Sequence, residues 1–261
     1  MRMFYRAFSI RQTLSDQLSW SHYILLSKIE KEDIRVFYFN ECIAANWSVR
    51  ELERQISSLL YERLTLSRDK KKVLEISGKG HHITIPSDLV KDPYVLEFLG
   101  LKETESLYEK ELEQALIDHL QEFLLELGKG FAFVARQKRI TIDGDHFFID
   151  LVFYNRLAKC FVLIDLKIGK LTHQDLGQMQ MYVNFYKRTQ MVEGENEPIG
   201  ILLCSEKKEA VVKFTLPDNQ KQIFASKYKL YLPTAKELKK ELLREREIIE
   251  TAKLVNGAVR K

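Results

Sequence analysis

Asp150, in the run FFIDLVFYN, lies fifteen positions before Asp165, in CFVLIDLKIG, and Lys167 follows two places later. Both runs are rich in β-branched and aromatic residues and read as consecutive strands. Two carboxylates and an amine in such apolar surroundings are costly unless they pair with each other or hold a cation. Side chains alternate along a strand, so Asp165 and Lys167 share a face while Leu166 takes the other. An antiparallel hairpin through the polar turn at 155–159 would bring Asp150 beside that pair. Nearby carboxylates repel, hard oxygen donors favour Mg2+ or Mn2+, and such an ion stabilises charge developing on a phosphate oxygen. Lys167 would help neutralise that charge or orient the attacking water. The cluster thus carries the chemistry of a metal-dependent nuclease; the alternative is a structural ion pair in a core strand.

The elements that would position these groups follow in order. After the break at Gly169, LTHQDLGQMQMYVNFYKR reads as a helix on which Gln178 and Tyr182, four apart, share a face. Upstream, TESLYEKELEQALIDHLQEFLLELG reads as a long amphipathic helix rich in acids. Strands carrying Asp and Asp-x-Lys, then a helix carrying Gln-x-x-x-Tyr, resemble the PD-(D/E)XK nuclease superfamily. The segments LSWSHYILL, FYFNECIAANWSVRELERQISSLLYERL, DPYVLEFLGL, LEQALIDHLQEFLLELGKGFAFVARQKRI and DLGQMQMYVNFY extend the resemblance, over nearly the whole chain, to the YhcG-type family. The resemblance implies an α/β fold with a restriction-endonuclease-like αβββαβ core, a mixed central sheet flanked by helices, preceded by an all-α N-terminal domain. It further implies Asp150, Asp165 and Lys167 as the active-site set, and Glu113 as an auxiliary acid with Glu111 as the second choice. Gln178 and Tyr182 would support site or substrate geometry, and a Mg2+ or Mn2+ cofactor would be held by Asp150, Asp165 and Leu166. The activity so implied is that of a DNA endonuclease rather than an exonuclease. Ile149 stands where the signature has proline, and Asp165 replaces the commoner glutamate, with the same donor atoms and a shorter reach.

Three segments are expected: a helical domain over 1–66, a linker over 67–104 and the nuclease domain over 105–261. In the first, apolar residues recur at three- and four-residue steps, and Ser48 followed by Glu51 is a capping-box signature. Ending one helix near Asn46 and opening another at Ser48 is compatible with a helix-turn-helix, in which Arg50, Arg54 and Gln55 would reach nucleic acid. A helical packing or dimerisation domain, with a homodimer as the assembled state, explains the pattern equally well. Relatives of the resembling family carry sequence ahead of the point where this chain begins, so Met1 is read as an arbitrary start. The linker holds a basic run, glycines and prolines. Its His81 and His82 are adjacent, would point apart in an extended segment, and make a poor metal grip. Tyr182 and Tyr186 are the aromatic residues singled out as contacts to nucleic acid; the others read as core.

Composition bounds the rest. A chain of 261 residues that is 45% hydrophobic and 30% charged can bury one large core or two modest ones. It has no apolar run long enough to span a membrane, and MRMFYRAFSIRQ lacks the pattern of a secretory signal, so a cytoplasmic location is expected. Cys42, Cys160 and Cys204 are odd in number and widely spaced, against a disulfide framework or a zinc site. The net charge of +4 is concentrated late: from 220 onward eleven Lys or Arg stand against five Glu, and the helical pattern TAKELKKELLREREIIE could track phosphates. Phosphate-loop, serine-elbow and Cys-x-x-Cys patterns are absent. The functions left are a metal-dependent deoxyribonuclease, a nucleic-acid-binding module on an inactive nuclease fold, and a protein-interaction scaffold.

Overall fold

The computed structural model describes residue 4 and residues 18–66, 83, 85–101, 108–207, 209–217, 220–234, 236–238 and 240. The chain divides into two compact units, Met1–Gly80 with Leu232–Lys261, and His81–Tyr231. In the first, helices α1 (Trp20–Ser27), α2 (Glu32–Ala45), α3 (Val49–Ser57) and α4 (Leu60–Leu66) bury Leu26, Phe37, Tyr38, Leu52 and Leu64. The step from α2 to α3 uses Asn46, at φ 52°, instead of the glycine many such turns carry. Ser48 and Glu51 then close the capping box read from sequence, Ser48 N–H donating to Glu51 Oε2 at 2.6 Å and Glu51 N–H to Ser48 Oγ at 3.3 Å.

The second unit carries a six-stranded sheet in the order β1-β6-β5-β4-β3-β2, formed by β1 (Tyr94–Val95), β2 (Phe131–Ile142), β3 (Asp145–Asn155), β4 (Cys160–Lys170), β5 (Ile199–Glu206) and β6 (Ile223–Lys229). β2, β3 and β4 are antiparallel neighbours, whereas β4, β5, β6 and β1 run parallel, so the sheet is mixed. Helices α5 (Glu109–Asp118) and α6 (Leu120–Leu127) precede β2, α7 (His173–Thr189) crosses from β4 to β5, and α8 (Glu209–Thr215) precedes β6. This is the expected αβββαβ order, with β1 ahead of it, α6 as a second helix before β2, and α8 and β6 after it. The latter half of the segment read as a linker belongs to this unit: Tyr94 pairs with Tyr228, and Leu89, Leu96 and Leu99 enter its core. His81 and His82 lie outside the described residues, as does most of the basic C-terminal run.

Each face of the sheet is covered. On one, Leu151, Phe153, Val162, Ile164 and Leu166 pack on Leu112, Leu116, Phe123 and Leu127 of α5 and α6. On the other, Val152, Leu163 and Leu202 pack on Leu176, Met179, Tyr182 and Val183 of α7. A β-carbon at Gly200 would collide with Met179, so glycine lets α7 lie close against β5. The three cysteines are buried thiols, each pushed upward in pKa first by burial. Among the described residues no helix is long and apolar enough to cross a membrane.

Candidate active site

The hairpin turn that sets the site is built by Asn155. Its Oδ1 accepts from Leu157 N–H and Ala158 N–H, both at 3.0 Å, and its Nδ2 donates to Lys129 O at 2.8 Å. Pairing from that turn runs Asn155 with Cys160 through to Leu151 with Ile164, and stops one step before Asp150 and Asp165 would meet. The strands splay there. Asp150 Oδ2 reaches into the gap and accepts Leu166 N–H at 2.7 Å, in place of the strand-to-strand bonds that have ended. Leu166 itself is fully buried with its side chain in the core, and it meets the site through its main chain, at that N–H.

Lys167 Nζ lies 3.1 Å from Asp165 Oδ2 and 3.8 Å from Glu109 Oε2. Glu109 Oε1 also accepts Ile168 N–H at 3.1 Å, tying the start of α5 to β4. Glu113, buried four residues further along the same helix face, accepts from Gln137 Nε2 at 2.6 Å, and the same amide nitrogen donates to Asp150 Oδ1 at 3.0 Å. The structure therefore brings Asp150, Asp165, Lys167 and Glu113 together. Glu111 is exposed, accepts Tyr108 N–H as part of the N-terminal cap of α5, and lines the cavity that Glu113 and Asp150 share.

Gln178 Nε2 donates to Tyr182 Oη, and Tyr182 Oη donates to Phe148 O at 2.9 Å. The pair thus anchors β3 two residues before Asp150. Tyr182 is fully buried, its phenol pushed up to about 12 by burial and then by the charge of Asp165, so it holds its proton. Three expected nucleic-acid contacts are corrected: Tyr182 is fully buried, Tyr186 is 3% exposed with its ring against Phe161, and Gln55 is 1% exposed in the helical unit, so none is placed to stack on a base. Arg50 is exposed and Arg54 half-buried on α3. Glu109 and Gln137 escaped the sequence reading. Glu109 is signalled by its four-residue spacing from Glu113, and Gln137 by the lapse of apolar alternation at ARQKR.

Burial, then the neighbouring Asp150, pushes the Asp165 carboxyl up from 3.8 to about 7, with Lys167 pulling the other way. Glu113 is also raised, by burial first, against the hydrogen bond from Gln137. Burial opposes the charge on Lys167, but Asp165 and Glu109 outweigh it and hold the ammonium above the usual lysine range. A carboxyl raised in the folded state contributes stability that is complete below its unfolded pKa and is lost as pH climbs through the folded value. The metal-free protein is therefore expected to lose stability between about pH 4 and about pH 7, and Asp165→Asn to flatten that loss. Calorimetric Tm values in EDTA that rise over this interval would contradict it.

The donor set fits a hard divalent cation. Two carboxylates face one another across the splay with a single ammonium to offset them, and every donor is oxygen. No group of three or more His, Cys, Asp or Glu poised to hold a metal occurs among the described residues. Asp150, Asp165 and the main chain at Leu166 would thus supply part of a shell whose remainder falls to water and phosphate, as Mg2+ prefers. A cavity of about 760 Å3 opens beside Asp150, lined also by Tyr108, Lys110, Gln114, Arg136 and Gln137 and by the acids Glu109, Glu111 and Glu113.

A family model described as the YhcG PDDEXK nuclease domain matches residues 87–243, and one for the DUF1016 N-terminal domain matches residues 1–63. A YhcG protein of Escherichia coli (strain K12) is 43% identical over 244 residues; these make up 92% of this chain and 64% of that relative, so the chain spans less than two thirds of the relative's length. Among solved structures, a repair endonuclease from Pyrococcus abyssi is 20% identical with a TM-score of 0.35, over 51% of this chain and 50% of its own. An EndoMS–dsDNA2 complex gives 20% identity and a TM-score of 0.35, over 51% of this chain and 49% of its own. The nuclease-domain match runs through the whole mixed sheet and both strands that carry Asp150, Asp165 and Lys167, and with it the chain belongs to the YhcG PDDEXK nuclease family.

Proposed function

We propose that the protein is a metal-dependent nuclease that hydrolyses phosphodiester bonds in DNA, with Asp150, Asp165 and Lys167 as its active-site set. The observation that carries this reading is the splay of β3 from β4, where an acid from each strand and one ammonium converge beside an open cavity. A divalent cation held by Asp150 and Asp165 would supply Lewis-acid stabilisation of the charge that builds on a phosphate oxygen. The chain's own groups do the rest. Lys167, fixed by Asp165 and Glu109, keeps a positive charge beside these acids for the phosphate undergoing attack. Leu166 N–H and Gln137 hold the Asp150 carboxylate in one orientation, and the Gln178–Tyr182 pair holds the strand that bears it.

The cavity wall offers Lys110 and Arg136 to a polyanion, and Arg139, exposed on the same hairpin, has no acidic partner within ion-pair distance among the described residues. Binding of a labelled oligonucleotide in EDTA is therefore expected to fall steeply with salt. Arg139→Ala should lower the slope of log affinity against log salt by about 0.7–0.9. An unchanged slope would remove Arg139 from the interface.

The deciding experiment incubates the purified protein with supercoiled plasmid, linear duplex, branched DNA, single-stranded DNA and RNA, each with Mg2+ or Mn2+. Cutting of closed circular plasmid is the expected result and marks an endonuclease. Failure to cut any of the five with either ion would overturn the hydrolytic reading and leave a binding module or a scaffold.

A further inference from the structure

We propose that Gln137, set at a kink shared by β2 and β3, is a positioning residue that holds Asp150 and Glu113 in place for the cation; this rests on the hydrolytic reading above.

The kink is legible in the packing. Residues two apart on a regular strand share a face. Ile149 nevertheless packs in the α7 layer and Leu151 in the α5–α6 layer. On β2, Ala135 and Ile140, five apart, both pack in the α7 layer, where regular alternation would put them on opposite faces. Each strand has therefore changed phase. The ladder places the two changes opposite each other: Arg136 pairs with Leu151 and Lys138 with Ile149, while the rung between them, Gln137 with Asp150, is missing. Gln137 has φ 44°, a left-handed backbone that a β-carbon disfavours. The double phase change turns Asp150 out of the regular alternation, to a place where it meets both Leu166 N–H and Gln137.

Glycine or asparagine would suit that backbone better, so the side chain is the reason for glutamine. Its amide nitrogen has two hydrogens and two acceptors, Glu113 Oε2 at 2.6 Å and Asp150 Oδ1 at 3.0 Å, and because both partners are carboxylates the orientation of the amide is determined. The bridge is neutral. An arginine or lysine in this position would cancel the negative charge of the acids it joins, whereas an amide fixes their separation and leaves the charge available to a cation. Gln137 acts through Asp150 and Glu113 and need not touch the substrate.

The test compares wild type with Gln137→Leu, which keeps bulk and loses the donor, and Gln137→Gly, which also relieves the left-handed backbone. Thermal unfolding is followed against Mg2+ concentration without nucleic acid, and oligonucleotide binding is measured in EDTA. Both variants are expected to need about 10-fold more Mg2+ for half-maximal stabilisation, with binding in EDTA unchanged. The glycine variant should melt without metal at or above the wild-type temperature, which a purely structural role would not allow. A wild type that responds to Mg2+ with both variants matching it overturns this inference alone. A wild type that neither responds nor cleaves overturns the hydrolytic reading and this inference with it.

Discussion

Asp165→Asn is expected to lower Mg2+-dependent cleavage by a factor on the order of 1,000 while leaving the metal-free protein more stable at pH 8. The two effects share one cause. Asp165 is 3% exposed and faces Asp150, and its carboxyl is pushed up to about 7 from 3.8. Each unit of such a shift corresponds to about 1.4 kcal/mol by which the folded state disfavours the ionised form. Asparagine keeps the shape and removes the charge. Part of the gain is offset because Lys167 loses its partner at 3.1 Å, although Glu109 at 3.8 Å remains. A net gain of about 1–2 kcal/mol is therefore expected at pH 8 in EDTA, where the wild-type side chain must ionise. Plasmid cleavage and chemical denaturation, run on the same preparation, check both. An active variant would remove Asp165 from the chemistry. A variant that is inactive and also less stable would mark the Asp165–Lys167 contact as a structural ion pair.

Most of the sheet-bearing unit was legible because its strands carry strong local signals. FFIDLVFYN and CFVLIDLKIG are apolar, β-branched and aromatic runs interrupted by isolated charges, the polar turn between them is short, and the hairpin follows from those facts. The helix over 173–189 was legible from the spacing of Gln178 and Tyr182, although not what the pair does, since a bond to the Phe148 carbonyl leaves no trace in residue types. The same limit hid Gln137. Its role depends on a backbone angle and on a missing rung opposite Asp150, and each arises only when two strands have paired and slipped in phase together.

Long-range pairing also decided the segment over 85–101. Its two prolines, Gly100 and short apolar runs read as a connector, yet Tyr94–Val95 finds an open edge on β6, a strand more than a hundred residues later. Composition records turn chemistry well and non-local partners poorly. In the helical unit the capping box at Ser48 was fully local and is found as read, whereas the exposure of Gln55 depended on which face of α3 meets its neighbours. Tyr186 is the same case on α7: an aromatic residue one turn past Tyr182 continues the buried stripe instead of leaving it.

Replacing Lys167 by methionine separates chemistry from cation binding. The ammonium touches Asp165, so in the wild type it repels any cation that approaches that carboxylate. Methionine fills a similar volume without charge. At pH 8 the variant should therefore reach half-maximal Mg2+ stabilisation at a concentration no higher than wild type, while cleavage falls on the order of 100- to 1,000-fold for want of a positive group beside the phosphate. Lys167 also pulls the Asp165 carboxyl downward, so its loss raises that group further. Protons then compete with Mg2+ to a higher pH in the variant, and its Mg2+ midpoint should climb above the wild-type value as the pH is lowered toward 6. Lys167→Arg should not restore cleavage, because a planar guanidinium places its donors differently from a compact ammonium. Cleavage by the methionine variant at the wild-type rate would show that Lys167 only balances the charge of its neighbours.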